Sequence, residues 1–135
     1  QQHPNVRIIL EDGAKFLRQR AAAAPSDGTS LDCYDAILLD AYDAYNCVPE
    51  PLVEPKGPLA AALPAVLAHH AGVVVVNTPP GFDIGTMARG YKESLQSAGA
   101  IAGPAFSIRV PESGNAVALV SRLSACASHE PLQNA

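Results

Sequence analysis

A chain of 135 residues with 48% hydrophobic and only 16% charged residues has apolar side chain enough for one core and length for one domain. A net charge of -4 from nine Lys and Arg against 13 Asp and Glu excludes nucleic acid as a main partner, because phosphate binding requires clustered cations. The densest apolar run, "AGVVVV" at 71–76, falls far short of the roughly 18–20 residues of a membrane span, so membrane insertion is excluded as well.

The elements follow in chain order. Asn5 and "VRIIL" form a short β-branched run that stops at Glu11-Asp12-Gly13, which predicts a strand and a turn. "GAKFLRQRAAAA" is rich in strong helix formers and stops at Pro25, with "SDGTS" as a solvent loop behind it. "YDAILLD" at 34–40 predicts a second buried strand, feeding a polar loop from Ala41 to Gly57. Loops of that length in a compact domain tend to be functional. From Pro58, the spacing of Leu59, Leu63, Val66 and Leu67 marks one helical face, which Pro64 is expected to kink or break. "GVVVVN" reads as a third strand, apolar on both faces, as in a sheet with helices on both sides. Asp83 is placed to cap a third helix, whose stripe of Ile84, Met87, Tyr91 and Leu95 runs up to Gly99. "AFSIRV" and "NAVALVSRL", joined by "PESG", predict an antiparallel hairpin, followed by a frayed tail from Ser124. This alternation predicts an α/β domain of three layers, with a mainly parallel sheet and an antiparallel pair at its end.

Cys33, Cys47 and Cys126 show no C-x-x-C spacing, and their odd number argues against a disulfide framework. A reducing, intracellular compartment is expected, the cytoplasm by default. Of the histidines His3, His69, His70 and His129, none stands at a helical ligand spacing, so no metal is expected. The pair His69-His70 reads as a helix end, where an imidazole next to the last carbonyls is favoured by the helix dipole.

In open α/β sheets, ligands bind beyond the carboxyl ends of the strands. Asp12, Asp40 and Asn77 each follow an apolar run there and would share one rim if the strands are parallel. Turn chemistry alone also accounts for each of them. The glycine of Asp12-Gly13 lets backbone approach a flat ligand, and the carboxylate can accept from an exocyclic amine. Asp40 and Asp43 can accept a proton from, or pair with, a cationic amine. Tyr42 and Tyr45, interleaved with them, either pack on a substrate or cover the rim.

"VRIILEDGAKFLRQ", "YDAILLDAYDAYNCVPEPL", "GVVVVN" and "GNAVALVS" together resemble the C-terminal portion of the spermidine-synthase-like branch of class I S-adenosylmethionine-dependent transferases, over roughly residues 4–122. The resemblance implies a Rossmann-like methyltransferase fold, with residues 1–123 its C-terminal part and 124–135 a flexible tail. It also implies S-adenosylmethionine, or its decarboxylated form, as cofactor. Asp12 and Gly13 would contact the adenine. Asp40 would lie beside the cofactor and act as base in true aminopropyltransferases, and Asp43 would help bind the amine. Tyr42 and Ala44 depart from the polyamine-synthase D-S-S-D-P pattern, and "NTPPGF" at 77–82 replaces that group's Gln- and Glu-containing segment. Both departures favour methyl transfer to an amine, on a small molecule or a protein, over aminopropyl transfer.

The family's glycine-rich motif and its ribose-binding acid are expected upstream of Gln1. Without those strands "VRIIL" would lack a neighbour, and "AILLD" would be an exposed apolar edge inviting self-association as a homo-oligomer. A third expectation, of a different class, is a non-catalytic remnant retaining the fold as a scaffold.

Overall fold

The computed structural model describes residues 5–24, 33–43, 45, 47–54 and 56–123. The expected loop behind Pro25, residue Ala44, and His3, Cys126, His129 and the tail from Ser124 lie outside them. Eight elements are formed in the order α1 (Gly13–Ala23), β1 (Ala36–Leu39), α2 (Glu50–Val53), α3 (Pro58–Val66), β2 (Val73–Thr78), α4 (Ile84–Ser97), β3 (Ile101–Arg109) and β4 (Ala116–Leu123).

The expected first strand is not formed. Residues 6–10 have no regular structure, and Val6, Ile8 and Leu10 are 54%, 66% and 97% exposed. A β-branched run becomes a strand only beside a partner that takes up its backbone groups, and β1 pairs only with β2 among the described residues. Asp12 is consequently not a strand end. It caps α1, its carboxylate accepting from the Lys15 backbone N–H at 2.7 Å. Ala24, which precedes Pro25, ends α1 in the extended conformation that a following proline imposes.

The sheet has the order β1-β2-β4-β3, with β1 and β2 parallel and β4 antiparallel to both its neighbours. Three strands therefore share one direction, but only one of the three pairings is parallel. The result is an α/β fold with a four-strand mixed sheet. The predicted hairpin is formed, yet its second strand takes the inner place. β4 is the more continuously apolar of the two, whereas β3 contains Pro104, whose missing N–H is tolerated at an edge, and its register shifts between Ala102 and Ala105.

Burial across the sheet alternates. Val74, Val76, Thr78, Ala118 and Val120 are buried, while Val73, Val75, Val117 and Leu119 between them are only half-buried. The buried set packs with Leu17 of α1, Leu59, Leu63 and Val66 of α3, and Met87, Tyr91 and Leu95 of α4 in one core. Among the described residues the helices thus form a single layer on one face, not the two layers expected. The other face carries a row in register, Leu38-Val75-Leu119-Phe106, whose end members are 72% and 55% exposed. No described helix is long and apolar enough to cross a membrane.

Pro64 neither breaks nor ends α3, which continues to Val66. A proline cannot donate to the carbonyl four residues back, here that of Ala60. The Ser94 hydroxyl of α4 donates to that carbonyl instead, at 2.8 Å. The last turn of α3 is closed by Arg122 of β4, which donates to the carbonyls of Pro64 at 2.6 Å and Leu67 at 3.3 Å. The long loop after β1 is pinned to the core through buried Leu52, whose carbonyl accepts from the buried Tyr91 hydroxyl at 2.7 Å.

Candidate functional site

β1 and β2 run parallel in register, Leu39 opposite Val76, so Asp40, just after β1, and Asn77, near the end of β2, meet on one rim. The Asn77 side-chain amide donates to Asp40 Oδ1 at 2.9 Å and to the Tyr42 hydroxyl at 3.2 Å. Asn115, just before β4, donates in turn to Asn77 Oδ1 at 3.3 Å. The Asn77 amide uses both its donor and its acceptor, which holds Asp40 as an acceptor at one end. Asp40 itself is exposed, so the carboxylate is oriented without being desolvated, as suits a group that receives a ligand's N–H or O–H.

A cleft of about 340 Å³ opens beside this carboxylate, lined by Asp12 and Gly13 at the start of α1, Asp40 and Ala41, and the apolar Phe16, Leu39 and Leu52 among others. Its size lies within the range of small-molecule sites, and a mainly apolar wall with a few convergent polar groups is their usual make-up. Asp12 and Asp40 thus share one cleft although Asp12 reached it from a helix cap. A Cβ added at Gly13 would meet nothing within 4 Å, so this corner of the cleft lining is open.

Asp43 does not join them. Its Oδ1 accepts from the backbone N–H groups of Tyr45 at 2.8 Å and Cys47 at 2.9 Å, and its own N–H donates to the Cys47 carbonyl at 2.9 Å. This is a carboxylate that folds its own loop. Tyr42 takes part in the rim through its hydroxyl, whereas Tyr45 is 87% exposed. Asn77 had a signal in the sequence, a polar residue ending an apolar run. Asn115 had none, because its role depends on β4 lying beside β2.

His69 stands apart from this site. Its Nδ1 is 3.2 Å from Arg122 Nη2. The charge of Arg122, followed by burial and the neighbouring His70, holds the imidazole below its ordinary value of 6.5. The cation that donates to the carbonyls at the end of α3 is Arg122, and because a guanidinium can only donate, His69 Nδ1 is the acceptor of their contact. No group of three metal-ligating side chains exists among the described residues. No protein-family model matches the chain, and no curated protein sequence matches it.

Proposed function

We propose that the chain is part of a spermidine-synthase-like, S-adenosylmethionine-dependent methyltransferase with an amine acceptor. The observation that carries the reading is the single cleft that joins Asp12, Gly13 and Asp40, the three residues on which the sequence resemblance places the cofactor. Apolar walls from Phe16, Leu39 and Leu52 suit a flat base, the Asp12 carboxylate suits its exocyclic amine, and the open corner at Gly13 leaves room for close approach. An α/β fold with a mixed sheet is compatible with a Rossmann-like domain; a fuller sheet with helices on both faces belongs to this proposal, as do an intracellular setting and a homo-oligomer.

When bound, the cofactor supplies a sulfonium-linked methyl group. Asp12 and Gly13 would hold its adenine, and Asp40 would accept the surplus proton of an amine that receives the methyl group. The chain's own contribution is orientation. The Asn77 amide fixes the Asp40 carboxylate, which can accept the acceptor's N–H and align its lone pair for in-line attack. Asp40→Asn should abolish turnover while leaving the fold intact, since the side chain is exposed. Calorimetric titration of the full-length protein with S-adenosylmethionine tests the reading: saturable heat is expected, and none at millimolar ligand overturns it.

Aminopropyl transfer is the second enzymatic reading. The loop-bound Asp43 counts against it, because that carboxylate was the expected partner of the polyamine. Product from putrescine or spermidine with decarboxylated S-adenosylmethionine would restore it. A scaffold without catalysis is favoured by the open apolar face, and is separated from both enzymes by the same titration.

A further inference from the structure

A second cleft, of about 410 Å³, lies between the turn after β2 and the turn end of the β3–β4 hairpin. Strand register determines what faces it. Ser107 and Arg109 of β3 lie opposite Ala118 and Ala116, which lie opposite Val76 and Thr78. All of these stand on the helix-covered face. The Ser107 and Arg109 side chains therefore project above the start of α4, where half-buried Phe82 and Ile84 form an apolar wall.

The cleft holds one acid and one base in unequal states. Both oxygens of Asp83 are committed to Thr86, Oδ1 accepting from its N–H at 3.1 Å and Oδ2 from its hydroxyl at 2.6 Å. These bonds hold the carboxyl below its usual value. Arg109 is exposed and makes no ion pair among the described residues. A guanidinium of this kind, beside an apolar wall, is suited to a planar anion held by paired N–H donors. With the Asp83 charge close by, one guanidinium balances a carboxylate better than a doubly charged phosphate.

We infer that the hairpin cleft is a binding site for a small molecule carrying a carboxylate, held by Arg109, with its apolar body on Phe82 and Ile84. The site does not rest on the methyltransferase reading.

The test is an amide NMR titration of the full-length protein with hydrocinnamate, and with phenylpropylamine as the counterpart of opposite charge. Hydrocinnamate should shift the amides of Gly81, Phe82 and Gly114 saturably, the amine should not, and Arg109→Gln should weaken binding at least about tenfold, as loss of a charged hydrogen-bond partner implies. Arg109→Lys should recover part of it, and the unchanged dispersion of each variant's spectrum would certify its fold. Equal binding of the amine, unchanged binding by Arg109→Gln, or no saturable shift in the cleft would overturn the site. S-adenosylmethionine titrated into the same samples keeps the two ideas separate: hydrocinnamate binding without cofactor binding leaves the anion site standing, whereas cofactor binding without hydrocinnamate binding removes the site alone.

Discussion

The two faces of the sheet differ in what covers them more than in what they are made of. β2 presents Val74 and Val76 to one side and Val73 and Val75 to the other, yet the first pair is buried and the second only half so. Hydrophobicity sets what a residue can contribute, and the neighbouring layer sets whether it does. The same difference separates β1 from residues 6–10: both are short apolar runs, and only the one beside β2 becomes a strand.

The contrast can be broken by substitution on each face. Leu63→Ala, on the covered side where Leu63 is fully buried, should cost about 2–5 kcal/mol in urea unfolding. Arg122→Met should cost about 1–3 kcal/mol for each carbonyl left without a donor, those of Pro64 and Leu67. Phe106→Ser, on the open face at 55% exposure, should change stability by no more than about 0.5 kcal/mol. For the proposed homo-oligomer, its effect should appear in sedimentation as weaker self-association, because it interrupts the apolar row.

The smallest expected effect is a pH dependence at the Arg122 cap. His69 is held below its ordinary value of 6.5 in the folded chain, so the unfolded chain takes up the proton first as pH falls. The stabilisation is fully present above about 6.5 and declines as pH drops from there through the folded value. His69→Gln should remove this dependence from unfolding curves measured between pH 7 and pH 5, and a slope that survives the substitution would place its origin elsewhere.

Much of the architecture is legible in the sequence. The Asp83 cap, the stripe of α4, the helix after Asp12-Gly13, the "AILL" and "VVVVN" strands and the final hairpin all depend on local spacing and capping, which short-range physics specifies. What could not be read depends on neighbours distant in sequence. The fate of "VRIIL" turns on whether a strand lies beside it, and Asn115 enters the rim only because β4 seats against β2. Asp43 matched a family pattern by position, but a carboxylate two and four residues before available N–H groups is satisfied by its own loop first. The rim pair Asp40 and Asn77 lay between these cases, for its polar ends were visible and its contact required the parallel pairing.

The proline in α3 has a consequence for the order in which the chain assembles. The carbonyl of Ala60 has no internal donor until Ser94 arrives from 34 positions along the chain, so α3 cannot complete its ladder as an autonomous segment. Its final turn waits on β4 in the same way, through Arg122. A peptide covering 57–68 should therefore show little helix by circular dichroism, and Pro64→Ala should raise it. In the whole chain the same substitution would make Ser94 redundant, so Pro64→Ala and Ser94→Ala should be non-additive. Helix formation here is an act of assembly, and a local sequence rule that ends the helix at Pro64 fails because the missing donor comes from elsewhere in the fold.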